Sequence, residues 1–296
     1  MSDFLRPSSH DRRARLRAAL DAGTVVAPGA YDAMSARLVE QTGFDACYLT
    51  GFGATASALA RPDIGLMSQT EMVDVVRRVA AAIDTPVIAD ADTGYGNALN
   101  VIRTVHDYEQ AGACAIQIED QVFPKRCGHM AGKEVIGLAE AEAKIRAAVA
   151  ARQDPDFLII ARTDVGAVEG TDAAIERAKA FADAGADLLF VEAPPARADI
   201  ERVAKALAGQ RLVFNWVEGG KTDTVDIDLI RDLGFGLVIF PLSTMLAATR
   251  AVRSVLDHLK RVSSTTGFEA MDTFDDAVEL MGLDRIRAIE DSFRVD

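Results

Sequence analysis

Cysteine is scarce in this chain: Cys47, Cys114 and Cys127 are the only three in 296 residues. An odd number at such wide spacing argues against a disulfide framework and makes reduced thiols the expectation. Positive charge is also short, with 32 Lys and Arg against 45 Asp and Glu and a formal charge of -13. That balance disfavours a nucleic-acid or anionic-membrane surface, and any anionic substrate needs a local positive site. No segment offers about 18 unbroken apolar residues. The opening "MSDFLRPSSHDRRARLRAAL" has no apolar run before a small-residue cleavage site, so a cytoplasmic location is expected. No linker rich in Pro, Gly or Ser divides the chain, and no G-x-S-x-G supports serine-elbow hydrolysis.

What is present is a repeat. "EQTGFDACYLT", "YEQAGACAIQIE", "FADAGADLLFVE" and "RDLGFGLVIF" each read as a helix end, a glycine and a short apolar strand. Gly43, Gly112, Gly185 and Gly234 stand just past the helix, where a left-handed backbone favours glycine. The strands at 47–49, 114–118, 188–191 and 237–240 are nearly continuous apolar runs, as in parallel sheets buried on both faces. Four more candidates lie at 25–27, 86–89, 157–161 and 212–216, with helical patterns such as "QTEMVDVVRRVAAAI" and "LAEAEAKIRAAVAAR" between strands. Eight alternating units predict a (β/α)8 barrel over residues 1–262. A doubly wound open sheet is the rival, but the glycine fingerprint opening its first helix is missing. Residues 263–296, including the amphipathic stretch from Phe268 to Gly282, form an extra C-terminal helical arm that must pack on its own barrel or on a partner.

In such a barrel, chemistry belongs at the C-terminal ends of strands. Thr50, Asp90, Glu119, Arg162, Glu192 and Asn215 all stand where a strand stops. In "ADADTGYGN", alternation along an extended chain would put Asp90 and Asp92 on one side, and Glu119 could join them around a hard cation such as Mg2+ or Mn2+. A lone aspartate more often caps a helix; the pair with Glu119 favours the metal. The next segment, "DQVFPKRCGHMAGKEV", is long enough to be a lid. There Lys125, Arg126 and His129 would favour the Cys127 thiolate, making it an acid–base group, with an inert surface thiol as the alternative. Zinc is poorly supported, because one Cys and one His do not fill four positions.

"DADTGYGN", "IQIEDQVFPKRCGH", "IIARTD" and "VEAP", in this order and spacing, resemble the isocitrate lyase and phosphoenolpyruvate mutase superfamily. The resemblance runs from about Pro28 to Leu246, and the K-R-C-G-H string resembles its carbon–carbon lyase branch. It implies Mg2+-dependent cleavage of a 2-hydroxy dicarboxylate of the dimethylmalate or methylisocitrate type to a 2-oxo acid and a carboxylic acid. Carboxyvinyl-carboxyphosphonate rearrangement and oxaloacetate hydrolysis or decarboxylation are the alternatives.

The resemblance further implies metal binding by Asp90, Asp92 and Glu119. Substrate would be bound by Thr50, Gly51, Phe52, Asp63, Gly128, Arg162, Glu192 and Asn215. Catalysis would fall to Cys127 as proton donor, with Arg162, Glu119, His129 and Lys125. It also implies a homotetramer that exchanges its C-terminal helices. Val217 and Leu246 stand where the methylisocitrate-cleaving pattern carries a threonine-type position and an arginine, which suggests a substrate with one carboxylate fewer; Pro241 replaces the serine usual in oxaloacetate hydrolases.

Overall fold

The computed structural model describes residues 9–128, 132–220, 222 and 225–294. Eight parallel strands close on themselves in sequence order: β1 (Val25–Ala30), β2 (Cys47–Leu49), β3 (Val87–Asp90), β4 (Ala115–Glu119), β5 (Leu158–Thr163), β6 (Leu188–Val191), β7 (Leu212–Asn215) and β8 (Phe235–Phe240). All eight expected strands form. Several run further than their apolar cores, because the barrel register carries polar rim residues such as Asp90 and Thr163 within the ladder.

Alternation sorts the strand residues into two cores. Val25, Tyr48, Ile88, Ala115, Leu158, Leu188, Val213 and Leu237 belong to the cluster inside the barrel. Their neighbours Cys47, Val87, Ile116, Ile159, Leu189, Leu212 and Val238 pack outward among the helices. The period-two rule therefore continues from Ala115 through Gln117 to Glu119 and from Leu158 through Ile160 to Arg162, which makes the rim side chains the top layer of the interior.

The helix Ser9–Ala22 joins this inner cluster through Leu16 and Leu20, at the strand starts. Each such leucine contributes about 1.5–3 kcal/mol on burial. Two buried arginines anchor the helix. Arg12 donates to the carbonyls of Ala80 (2.8 Å) and Ile83 (3.1 Å). Arg13 donates to those of Ala113 (3.1 Å) and Glu109 (2.6 Å), pairs with Asp154 at 3.0 Å and lies over the Phe157 ring.

Among the described residues, 9–244 and those from Met245 onward form separate compact units. In the second, the stretch expected to be helical from Phe268 begins only at Phe274, where Thr273 and Asp276 form a reciprocal capping box, and it ends at Leu280. A further helix, Leu283–Ser292, follows.

Replacing Arg13 by Met removes the cation that serves Glu109 and Asp154 together. The expected loss is about 3–5 kcal/mol of unfolding free energy, read by urea denaturation at neutral pH.

Candidate active site

Thr50, Asp90, Glu119, Arg162, Glu192 and Asn215 line one cavity at the C-terminal mouth of the barrel. Phe52, Asp63, Lys125, Cys127 and Gly128 line it as well. Its remaining wall is apolar: Val217, Ile239, Pro241 and Leu242, with Tyr48 one layer below the rim. Tyr48 donates to Gln117 Oε1 at 3.0 Å inside the barrel. Trp216, at the end of β7, stacks on Phe240 with ring centroids 5.4 Å apart.

Negative charge dominates the polar side. Asp63, Asp90, Asp92, Glu119 and Glu192 share the cations Lys125 and Arg162, and all seven are buried. Lys125 Nζ lies 2.6 Å from Asp63 and 2.8 Å from Asp92. Arg162 Nε lies 3.4 Å from Glu119 Oε2, and its Nη2 lies 3.7 Å from Glu192. Burial pushes the Asp92 carboxyl up to about 7 despite Lys125, and it raises Glu119 well above the usual carboxylate range despite Arg162. Burial alone would lower Lys125, yet the carboxylates of Asp92 and Glu119 hold its ammonium well above the usual lysine value.

A second, balanced cluster lies beside the first. Asp164 accepts a fork from Arg162 at 2.8 and 3.0 Å and a bond from Lys133 at 2.7 Å. Burial would raise its carboxyl, but Arg162 and Lys133 hold it at about 2.

The acid-bearing turn after β3 is fixed through its backbone. Consecutive carbonyls face separate donors: Asp90 O meets Tyr108 Oη (3.1 Å), Ala91 O meets Gly94 N (2.9 Å), Asp92 O meets Glu119 N (2.8 Å), Thr93 O meets Lys144 Nζ (2.9 Å) and Gly94 O meets Thr104 Oγ1 (3.2 Å). Because Tyr108 gives its only proton to a carbonyl, the 2.9 Å contact with Tyr95 must have Tyr95 as donor.

The strand ends at Asp90, however, and Asp92 adopts φ +48°. Simple alternation therefore stops short of Asp92. Its N–H donates to Asp90 Oδ1 at 2.9 Å, while its own carboxylate turns to Lys125. Among the described residues, the acid group whose ligand atoms lie within 4.8 Å of one another is His10, Asp154 and Asp156, away from the cavity. Asp154 already pairs with Arg13 and His10, and Asp156 with Arg17.

Glu119 Oε1 is buried with no hydrogen-bond partner, and Asp90 Oδ2 receives a backbone N–H from Gly51 at 3.3 Å. Unpartnered carboxylate oxygen, beside an excess of buried acid, fits a hard divalent cation.

The loop after β4 contributes Lys125, Cys127 and Gly128 to the cavity wall. Gln121 brackets Arg126 with two bonds, Nε2 to the carbonyl (2.8 Å) and Oε1 from the N–H (2.9 Å). Cys127 N donates to Asp63 O at 3.2 Å. Gly128 packs so tightly that a Cβ there would meet Glu192 Oε1 at 1.9 Å and Arg162 Nη2 at 2.5 Å.

The cations expected around Cys127 are arranged differently. Lys125 is committed to Asp63 and Asp92, Arg126 is exposed, and His129 lies outside the described residues. Gly51 opens the helix Gly51–Leu59, and its close approach to Asp90 would bring a Cβ to 2.6 Å from the carboxylate. Sequence reasoning passed over Asp164, Lys133, Tyr108 and Lys144. Asp164 follows Arg162 by two residues and was detectable by its spacing; the other three depend on tertiary neighbours.

A family profile described as phosphoenolpyruvate phosphomutase matches residues 16–260. The chain is 46% identical to 2,3-dimethylmalate lyase of Eubacterium barkeri over 91% of this chain and 93% of that one. It is 43% identical to probable 2-methylisocitrate lyase 1 of Corynebacterium glutamicum, covering 87% and 84%. Its fold superposes on a crystal structure of 2,3-dimethylmalate lyase with a TM-score of 0.90 at 37% identity, over 97% and 96% of the two chains. A structure of phosphonopyruvate hydrolase in complex with oxalate and Mg2+ gives 0.87 at 34% identity, over 95% and 99%.

The depressed Asp164 carboxyl stabilises the fold fully above its unfolded value of 3.8, and that contribution is lost as pH falls toward about 2. Asp164→Asn should therefore be less stable than wild type by several kcal/mol, about 3–5, at pH 5–7. The gap should narrow progressively below pH 3.8 in urea titrations.

Proposed function

We propose, from the premise that the chain belongs to the phosphoenolpyruvate mutase and isocitrate lyase superfamily, that it is a carbon–carbon lyase cleaving an alkyl-substituted malate such as 2,3-dimethylmalate to pyruvate and a short carboxylic acid. The observation that carries this reading is the buried acid excess at the floor of a cavity whose roof holds Cys127 and whose far wall is apolar. A dicarboxylate has no reason to enter so negative a site unless a cation neutralises it. Phe52, Val217, Pro241 and Leu242 offer nothing to a third carboxylate, but they suit methyl groups.

In this reading Asp90 and Glu119 would hold the metal, and Asp92, fixed by Lys125, would add its charge. Mg2+, or Mn2+ in its place, would supply Lewis-acid polarisation of the substrate's oxygens when bound. Arg162 faces the carboxylate of the nascent 2-oxo acid. The N-terminal turn of the helix that Thr50 caps takes the other carboxylate through the Thr50 hydroxyl and the Phe52 N–H, while Gly51, whose own N–H goes to Asp90, leaves room for it. Glu192, held by Asn215 at 3.2 and 3.3 Å, orients the substrate beside Arg162. Asp63 keeps Lys125 in place below the loop. As a carboxylate of the cavity wall, Glu192 in this reading, takes the 2-hydroxyl proton and C2 becomes the 2-oxo carbon, breaking the C2–C3 bond leaves its electron pair on the departing fragment as an enolate, and the Cys127 thiol gives that carbon a proton. With the loop seated, water is excluded from the enolate. His129 is the further candidate for tuning this transfer.

Methylisocitrate is the second substrate considered, on the 43% identity to a probable 2-methylisocitrate lyase. The exposed apolar side chains of the C-terminal helices, among them Leu256, Phe274, Met281 and Ile286, support assembly with further copies of the chain as a tetramer with exchanged helices. Light scattering giving a monomeric mass would contradict that assembly.

A panel of dimethylmalate, methylisocitrate, citramalate, malate and oxaloacetate with Mg2+, read as 2-oxo acid released or, for oxaloacetate, as oxalate, should show cleavage fastest with dimethylmalate and none after chelation by EDTA. Cys127→Ala should lose cleavage by on the order of 100-fold or more while still binding pyruvate or oxalate with metal. Rearrangement of a phosphonate with no cleavage of any panel member would overturn the lyase assignment.

A further inference from the structure

Lys133 stands just beyond the stretch of loop that carries Cys127, and its side chain is only 2% exposed. A buried ammonium needs more than one partner. Lys133 has one on the loop and one on the barrel: Nζ donates to Gly128 O at 2.5 Å and to Asp164 Oδ1 at 2.7 Å. The same Asp164 carboxylate receives both arms of the Arg162 fork. Asp164 is in turn tied to the end of the neighbouring β4 through its N–H, which donates to Asp120 Oδ1 at 2.8 Å. Asp120 also accepts from Thr163 Oγ1 at 2.6 Å and pairs with Arg177 at 3.0 Å. The loop carbonyl is thus connected to a rigid, fully paired part of the β4–β5 rim.

We infer that Lys133 is a positioning residue for Cys127: its ammonium ties the carbonyl next to the thiol-bearing residue to the carboxylate that also sets the direction of Arg162. The role rests on the proposed function, in which Cys127 is the proton donor and Arg162 receives the 2-oxo acid. One anionic group then fixes the proton donor's backbone and the substrate's arginine in a common frame. Other contacts seat the stretch before the thiol: Lys125, two residues earlier, pairs with Asp63 at 2.6 Å and Asp92 at 2.8 Å. The Cys127 N–H bond to Asp63 O is a single neutral bond of 3.2 Å. The Gln121 bracket acts one residue earlier, on Arg126. Lys133 supplies the charge-assisted link immediately after Cys127, and such links are about twice as strong as neutral ones.

The test reads the thiol without needing any substrate. Wild type, Lys133→Met and Lys133→Arg are treated with iodoacetamide, and alkylation of each cysteine is followed by mass spectrometry of its peptide. Cys47 and Cys114 are fully buried and serve as internal standards for unfolding. Lys133→Met should alkylate Cys127 faster, on the order of 10-fold to 100-fold, as expected when a buried charged hydrogen bond no longer opposes local opening, with Cys47 and Cys114 still unlabelled. Lys133→Arg should return the rate toward wild type. With a substrate that is cleaved, Lys133→Met should lower kcat more than it raises KM.

Wild-type labelling of Cys127 in folded Lys133→Met overturns the inference and leaves the lyase assignment standing. Failure of the substrate panel with accelerated labelling does the reverse. If Lys133→Met also labels Cys47 and Cys114, Lys133→Gln, which removes the charge and shortens the side chain by one atom but keeps it polar in the same buried place, makes the same comparison. Labelling of all three cysteines in both variants would make Lys133 a general stability residue and would also overturn the inference.

Discussion

A guanidinium removed from water at the top of a closed barrel must be surrounded by acids, and the arrangement around Arg162 follows from that requirement. Burial alone would make its charged form less favourable; Asp164, Glu192 and Glu119 reverse the effect and hold it well above the usual arginine value. Its plane also lies over the Phe190 ring, with 5.2 Å to the centroid, which leaves the guanidinium little freedom to turn. Asp164 satisfies the cation on the side away from the cavity, so Glu119 and Glu192 are not fully used up by it. Charge left over on that side is what makes the cavity suited to a metal and, through the metal, to an anion.

Much of this was legible in the sequence, for a simple reason. Buried parallel strands tolerate almost nothing but apolar residues, so a polar residue at the end of such a run marks the rim. Thr50, Asp90, Glu119, Arg162, Glu192 and Asn215 were found in that way, and all six line the cavity. The repeated glycine was equally informative: Gly43, Gly112, Gly185 and Gly234 take φ between 82° and 99°, a region costly for other residues. Periodicity gives no information once the chain leaves regular structure. Asp92 sits past the strand's end in a left-handed conformation, and the partners of Lys125 lie 33 and 62 positions away. Only the folded chain shows that Lys125 serves two carboxylates while Lys133 joins one carboxylate to the loop. In the C-terminal unit, the apolar pattern suggested one helix, but the local Thr273–Asp276 cap decided where it begins.

The turn from Asp90 to Gly94 illustrates how a barrel makes a precise site from flexible parts. Two of its carbonyls are held by the helix Ala98–Ala111, through Tyr108 and Thr104, and one by the helix Leu138–Ala151, through Lys144. A fourth is held by β4. Displacing either carboxylate along the chain would break bonds to elements that are themselves packed in the core. Such positioning reduces the reorganisation needed when charge develops in the transition state.

Trp216 is the chain's single tryptophan, and it stands between Asn215 and Val217, which both line the cavity. Its indole is stacked on Phe240 at the end of β8, so its emission comes from one known place at the mouth of the barrel. The protein therefore carries a built-in optical probe of its own site. Changes in solvation or ring stacking at β7 and β8 can be followed in real time in the unlabelled chain, without a background from tryptophan elsewhere.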